Sequence, residues 1–411
     1  VLSLDLVQKQ SEIQAIADQL VQAKYLAFDT EFIRESTFYP KLEILQIATP
    51  DAAWLIDCAA LSKKDLQPIL DVFTDPKILK IVHAAHGDQE CLLSAYDILA
   101  APLFDTAVGA SLIGLGDNIG LSNLIRAILG IELPKGYART NWSKRPLPKP
   151  VLEYALLDVK HLIDVAEIIF GKLELTDRKA WALELSSRFE DRKLFEAPPE
   201  DIAKRLAQSG KFNIRDYAVL LELVRWREAR VREINVPRRW IAEDGVLIDL
   251  AKIKPTSAEQ LMGFRGLSKG ETKSPHSDRI LNAVKRGQDS EEEVPSDIKR
   301  RSVLQPTSEE NLGLDLLRVC ITLLSNEFHI AGKHIVTPQN MLPLLRLKPK
   351  TIEAMEASQL VSPQLGEKGL LGLFAFLTGN SSLRMSMKKS VELYELPEAH
   401  RHEEKTAEKK S

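Results

Sequence analysis

The chain has 411 residues, 44% of them hydrophobic and 27% charged, with a formal net charge of −3. That length suits two or three domains, and the composition is that of an ordinary globular protein. The slightly negative balance excludes a globally basic nucleic-acid coat, so any grip on phosphates must come from local patches.

In chain order, residues 25–32, 42–48, 53–58, 78–84 and 103–104 read as strands. Short connections join the first three, as in an antiparallel meander, and helical patterns separate the later ones, as in parallel crossover units. From 149 to about 197 the pattern is helical, and Pro198-Pro199 is expected to end it. A second all-helical block covers 211–287, with helices expected at 215–233, loosely at 242–253, and at 278–285. The polar stretch 288–311, with Glu291-Glu-Glu293 and Lys299-Arg-Arg301, reads as a linker. A third helical block spans 312–395, including an amphipathic helix at 313–324 and a late core helix at 372–377, and 396–411 reads as a disordered tail. Cys58, Cys91 and Cys320 form no CxxC pair, which fits a reducing compartment and excludes a cysteine-rich zinc site. The start, Val1-Leu-Ser-Leu-Asp5, shows no signal-peptide pattern, and the apolar run 369–377 is too short to span a bilayer. The expected location is cytoplasmic.

The chemistry lies in five residues. Asp29 and Glu31 end the first apolar run and, two apart on a strand, point the same way. Asp88 follows the 78–84 strand, and Tyr154 and Asp158, four apart on a helix, share a face. Two like charges about 4 Å apart cost about 4 kcal/mol at an effective dielectric of about 20, so four converging acids require neutralisation. Oxygen-only ligands suit Mg²⁺ or Mn²⁺, and the set has the composition of a two-metal phosphodiesterase site. Taken singly each residue has a plainer reading: a turn former for Asp29 or Glu31, a helix cap for Asp88, a half-buried aromatic for Tyr154, a solvated acid for Asp158.

The segments Phe28-Asp-Thr-Glu-Phe32, His83-Ala-Ala-His-Gly-Asp88 and Tyr154-Ala-Leu-Leu-Asp158 resemble the three exonuclease motifs of the ribonuclease D family. That family lies in the tyrosine subclass of the DEDD exonucleases. Phe38-Tyr-Pro40, Leu45-Gln-Ile-Ala48, Phe104-Asp-Thr106 and Trp142-Ser-Lys-Arg-Pro-Leu147 look similar to it as well, and the likeness covers residues 20–170 in register. A histidine at 153 would point to the sister subclass; Glu153 stands there. The resemblance implies an α/β ribonuclease H-like exonuclease core with a mixed sheet, followed by two all-α helical-bundle modules. The domains would be the exonuclease at 1–197, a helicase-and-RNase-D C-terminal (HRDC) module at 211–287, the linker, and a faintly similar second module at 312–395. Asp29, Glu31 and Asp158 would hold one divalent ion and Asp29 with Asp88 a second, Mg²⁺ or Mn²⁺, with Tyr154 aiming a water at the terminal phosphorus. The implied activity is 3′→5′ exoribonucleolysis to nucleoside 5′-monophosphates, in maturation of tRNA precursors and small stable RNAs, by a monomer acting on single-stranded 3′ ends. The alternatives are a DNA 3′→5′ exonuclease, which would use the same acids, and a non-catalytic RNA-binding scaffold, which would be expected to have lost some of them.

Candidate RNA contacts are fewer in kind. Trp142 and Arg145, with Arg139 and Lys144 alongside, fit a single-strand groove, or Trp142 anchors the connection into the Tyr154 helix. Leu223-Val-Arg-Trp-Arg-Glu-Ala-Arg230, Asn235-Val-Pro237, Ile248-Asp-Leu-Ala251 and 280–287 resemble the HRDC module. Between Arg225 and Arg239 six arginines face only Glu228 and Glu233, a local basic stripe from which Arg225, Arg227, Arg230, Arg238 and Arg239 could contact phosphates; the competing reading pairs them with acids on the same helix. The segment 268–277 is longer and more polar than the family pattern. His83 and His86 lack a third imidazole nearby and do not read as zinc ligands; His83, still within the strand-like run, reads as a packing residue or one that supports a ligand, and Asp105 reads as a helix cap.

Overall fold

The computed structural model describes residues 2–134, 136–137, 140–207, 214–290, 306–385 and 391–395. The chain divides into two compact units, Val1–Leu103 with Lys135–Lys160 and Ser187–Leu304, and Phe104–Pro134 with His161–Ser186 and Gln305–Ser411.

Residues 2–105 contribute a six-stranded sheet. Its strands are β1 (Leu2–Val7), β2 (Tyr25–Ile33), β3 (Lys41–Ala48), β4 (Ala53–Asp57), β5 (Leu79–Val82) and β6 (Leu103–Asp105), in the order β1-β4-β3-β2-β5-β6. β2, β3 and β4 pair antiparallel, and β2 and β5 pair parallel, so the meander and the crossover expected from the connections are both present. β1 was not anticipated; Leu-Ser-Leu-Asp-Leu-Val alternates with a period of two and pairs parallel with β4. Helices α1 (Gln10–Leu20), α2 (Lys63–Thr74) and α3 (His86–Tyr96) bury Ile13, Leu20, Ile69, Phe73 and Leu92 in one core with Phe28, Leu45 and Ile47 of the sheet. Asp105 caps α4 (Thr106–Leu112) by accepting from the Ala107 N–H, as expected. After α5 (Leu121–Leu129), α6 (Lys149–Lys160) returns to contact β1, β2, β3 and β4.

The helices after α6 are α7 (Leu162–Leu175), α8 (Lys179–Ser187) and α9 (Pro199–Ala207). Pro199 therefore opens a helix instead of only closing the preceding stretch, in keeping with proline's fitness for a first helical position, where its missing N–H would have had no partner. α9 lends Ile202, Ala203, Leu206 and Ala207 to the core of the helical bundle that follows, so that bundle draws on residues before 211. Its other helices are α10 (Ile214–Ile234), α11 (Arg238–Ile241), α12 (Asp244–Ile253), α13 (Ala258–Leu261) and α14 (His276–Gln288). α10 and α14 pack so closely that a Cβ on Gly287 would lie 2.4 Å from the Val219 Cα.

In the second unit, α15 (Ser308–Phe328) begins within the stretch read as linker, at a capping box in which Thr307 and Glu310 exchange side-chain and backbone bonds. α16 (Pro338–Leu347), α17 (Ile352–Ala357) and α18 (Gly366–Leu377) follow it. The block then departs from the all-helical expectation: β7 (Ser381–Met385) and β8 (Val391–Glu395) form an antiparallel pair. Arg178 joins this part of the chain to the α4 region, its guanidinium donating to the Leu112, Phe328 and His329 carbonyls at 2.9–3.0 Å. Ser111 Oγ and His334 Nε2 lie 2.7 Å apart beside it. Residues 291–305 of the expected linker and the expected tail 396–411 lie outside the described residues. Among the described residues, no helix is long and apolar enough to cross a membrane.

Candidate active site

β2 sets two carboxylates on one face, and α6 brings a third to them. Carboxylate oxygens of Asp29, Glu31 and Asp158 all lie within 4.8 Å of one another. Directly opposed residues of an antiparallel pair share a face, so two transverse rows lie under α6: Asp29, Gln46 and Leu55, then Glu31, Ile44 and Asp57.

Asp88 comes from the first turn of α3 and is buried. The pairing of β2 with β5 ends at Ala27, leaving the backbone beyond it without a strand partner on that side. Asp88 Oδ1 supplies one, accepting from Thr30 N at 2.9 Å and Thr30 Oγ1 at 2.6 Å. Thr30 was not singled out in the sequence, although its place between two acids is the kind of position that signals such a tether.

Burial raises the pKa values of Asp29, Glu31 and Asp158. Desolvation pushes Asp29 to about 7 against a backbone hydrogen bond from Thr30 that lowers it. Desolvation, then the charges of Asp29, Asp158 and Asp88, pushes Glu31 to about 9. Asp158 rises to about 8 through desolvation and the Asp29 charge, against a hydrogen bond with Tyr154 that lowers it. Desolvation and then the neighbouring carboxylates raise the Tyr154 hydroxyl well above the ordinary phenol value, so it stays protonated across the physiological range. Tyr137 stacks obliquely on Tyr154, ring centroids 5.8 Å apart. The donors are all oxygen and, among the described residues, form no ion pair with a cationic side chain, which is the chemistry a hard divalent cation satisfies. Among the described residues this is the sole group of three or more potential ligands that close; His86 instead packs on Phe195, ring centroids 5.1 Å apart.

A cavity of about 610 Å³ opens beside Glu31, lined by Phe32, Arg34, Thr140, Asn141, Trp142 and Ser143 among others. Arg34 and Asn141 fall outside the family-like segments, and Ser143 falls within one without being singled out. Trp142 lines this cavity but is only 2% exposed, so the anchoring reading fits it and base stacking on its face does not. Arg145 is also corrected as a phosphate ligand: its Nε and Nη2 meet Asp57 Oδ2 and Oδ1 at 2.8 and 2.6 Å. Burial favours a raised Asp57 pKa, but hydrogen bonds from Arg145 and Gln8 hold it below the ordinary value. This fork ties the 142–147 segment to the C-terminal end of β4, an interior strand of the sheet.

The basic stripe of the HRDC-like bundle is largely neutralised. Arg225 pairs with Glu200 and Glu222, and Arg230 with Glu233 and Glu271. Arg238 forms a fork with Glu228 at 2.7 Å through both nitrogens. Arg227 is 1% exposed and bonds Asp244 and Glu228. Glu200, Glu222, Asp244 and Glu271 lie outside the window in which charge was counted, which is why the stripe looked unpaired. Glu271 belongs to the polar 268–277 segment, so that segment is anchored on α10. Arg239 differs from the other four in being exposed, with no ion pair among the described residues. Trp240 next to it is 47% exposed.

An acid pair two apart on a strand, a third acid one turn after a tyrosine on a helix, and a fourth bound to the strand between them are the marks of a 3′→5′ exonuclease. Residues 4–174 match the family described as 3'-5' exonuclease, and residues 216–284 match the HRDC domain. Ribonuclease D of Bartonella henselae is 31% identical over 383 residues, 92% of this chain and 93% of that protein. Ribonuclease D of Nitrobacter hamburgensis is 31% identical over 387 residues, 94% and 98% of the two chains. The chain belongs to the ribonuclease D family of 3′→5′ exoribonucleases. The crystal structure of Escherichia coli RNase D, an exoribonuclease involved in structured RNA processing, shares its fold: TM-score 0.70 at 24% identity, over 89% of this chain and 98% of that one.

Proposed function

We propose that this exoribonuclease works by a two-metal mechanism at Asp29, Glu31, Asp88 and Asp158, and that it trims the 3′ ends of tRNA precursors and other small structured RNAs, as a monomer in the cytoplasm. The observation that carries the site is the convergence of three carboxylate oxygens within 4.8 Å in a setting that raises all three pKa values. Asp29, Glu31 and Asp158 would hold one Mg²⁺ or Mn²⁺, and Asp29 with Asp88 the second. A divalent cation there would neutralise the carboxylates, stabilise the leaving oxygen and lower the pKa of water from about 15.7 towards about 7. Tyr154, protonated and hydrogen-bonded to Asp158, is suited to orient the attacking water and unsuited to be the base. The Tyr154→Phe variant is therefore expected to lose about tenfold or more in single-turnover rate with RNA affinity little changed; equal losses in both would contradict orientation.

For the RNA itself, the 610 Å³ cavity beside Glu31 has room for the terminal nucleotide. Arg239 with Trp240 offers an exposed cation and aromatic of the kind that holds single strands. The deciding experiment is digestion of a 5′-labelled RNA with an unpaired 3′ tail, and of the same sequence as DNA, with Mg²⁺ or Mn²⁺ and with excess chelator. A metal-dependent ladder shortening from the 3′ end of RNA supports the reading. Turnover that persists under chelation removes the metals from it, and faster digestion of DNA moves the substrate.

A further inference from the structure

Gln46 lies at the middle of β3, directly opposite Asp29 in the β2–β3 ladder. Opposed residues have Cβ atoms about 4.5–5.5 Å apart on one face of the sheet. Its side chain is therefore on the carboxylate face, beneath α6, and it is 0% exposed. Both Nε2 and Oε1 lack a hydrogen-bond partner among the described residues. Burying such an amide without a partner is unfavourable, because its bonds to water are lost and nothing replaces them. A strand whose other buried residues are mostly Leu, Ile and Ala would be better served there by an apolar side chain.

An unsatisfied donor and acceptor on the same row as an acid with no cationic partner among the described residues are two halves of one arrangement. We propose that Gln46 belongs to the carboxylate site as a positioning residue, its carboxamide hydrogen-bonding the Asp29 carboxylate when a divalent cation occupies the cluster. Nε2–H donates to a carboxylate oxygen, and Oε1 accepts from an ordered water on the same face. The amide thereby fixes which way Asp29 turns its oxygens. Groups that orient metal ligands in this way typically change metal affinity by 10–100-fold when removed. The inference rests on the metal-site reading above and adds to it a residue that carries no charge and would touch neither cation nor RNA.

The test measures Mn²⁺ binding to the full-length protein by calorimetry, and melting in chelator, for wild type, Gln46→Met and Gln46→Asn. Methionine keeps the length and removes the orphan amide; asparagine keeps an amide but withdraws it by one carbon. The expected result is a melting temperature for Gln46→Met equal to or above wild type without metal, with Mn²⁺ affinity about tenfold or more weaker in both variants. Unchanged affinity in either folded variant overturns the proposal, as does a metal-free Gln46→Met that melts several degrees lower with affinity intact, since that marks a purely structural amide. Wild type that takes up no Mn²⁺ overturns the metal site itself, an outcome distinct from a failure of Gln46 alone.

Discussion

Replacing Asp29 with asparagine is expected to abolish turnover and, in metal-free protein, to raise the melting temperature. Asp29 sits among Glu31 and Asp158, and all three carboxyls have pKa values raised by burial, Glu31 and Asp158 also by the charge of Asp29. Between the unfolded values near 4 and the folded values of about 7 to 9, the native chain holds more protons than the unfolded one. Stability therefore falls as pH rises across that window. Melting of the metal-free wild type should decline between pH 5 and pH 9, and Asp29→Asn should flatten the decline, at about 2–4 °C for each kcal/mol recovered. Divalent ion should restore the wild type most strongly at the alkaline end, where the carboxylates are charged. Activity should fall by on the order of 10³-fold or more, the scale on which loss of a transition-state electrostatic partner is felt. Thermal scans with and without chelator, beside a cleavage assay, decide it. A mutant that melts below wild type at pH 8 in chelator would refute the repulsion, and one that cleaves normally would refute the site.

The second large effect concerns the arginines. Arg227→Ala is expected to destabilise the α10 bundle by roughly 3–5 kcal/mol, the usual scale for removing one partner of a buried ion pair. Its guanidinium is enclosed beside Glu228 and reaches Asp244, whose charges would lose a counterpart. Arg239→Ala should leave melting unchanged while weakening RNA binding and reducing its salt dependence by about one unit of slope. Denaturant unfolding and RNA titration at two salt concentrations separate the two. Comparable RNA-affinity losses in both, with neither destabilised, would restore the phosphate-contact reading of Arg227.

The acids were legible because strand and helix periodicity alone put Asp29 with Glu31 and Tyr154 with Asp158 on common faces, and the family motifs fixed their order. The antiparallel-then-parallel sheet followed from connection lengths. What failed to show was long-range pairing. Arg145 is claimed by Asp57, 88 residues away, and Arg230 by Glu271, 41 residues away, so a local charge count could not see either. β1 and the β7–β8 pair escaped because short alternating strands carry weak signals near chain ends. Gln46 was visible as a polar residue inside an apolar strand, but only the register with β2 assigns it a neighbour.

The loop joining β2 to β3 has its own bearing on how the helical bundle is tested. Asn235 Oδ1 accepts from both the Phe38 and Tyr39 N–H at 3.0 Å, and the Arg232 and Arg238 guanidiniums lie 5.1 and 4.9 Å from the centroid of the Phe38 ring. The two strands so joined carry Asp29, Glu31 and Gln46. A shortened chain lacking the bundle would release that loop, stripping two backbone donors and an aromatic of their partners a few residues from the acids. Slower cleavage by such a truncated protein would thus reflect a slackened catalytic hairpin as much as a missing RNA grip, and a point change at Arg239 is the cleaner instrument for the latter.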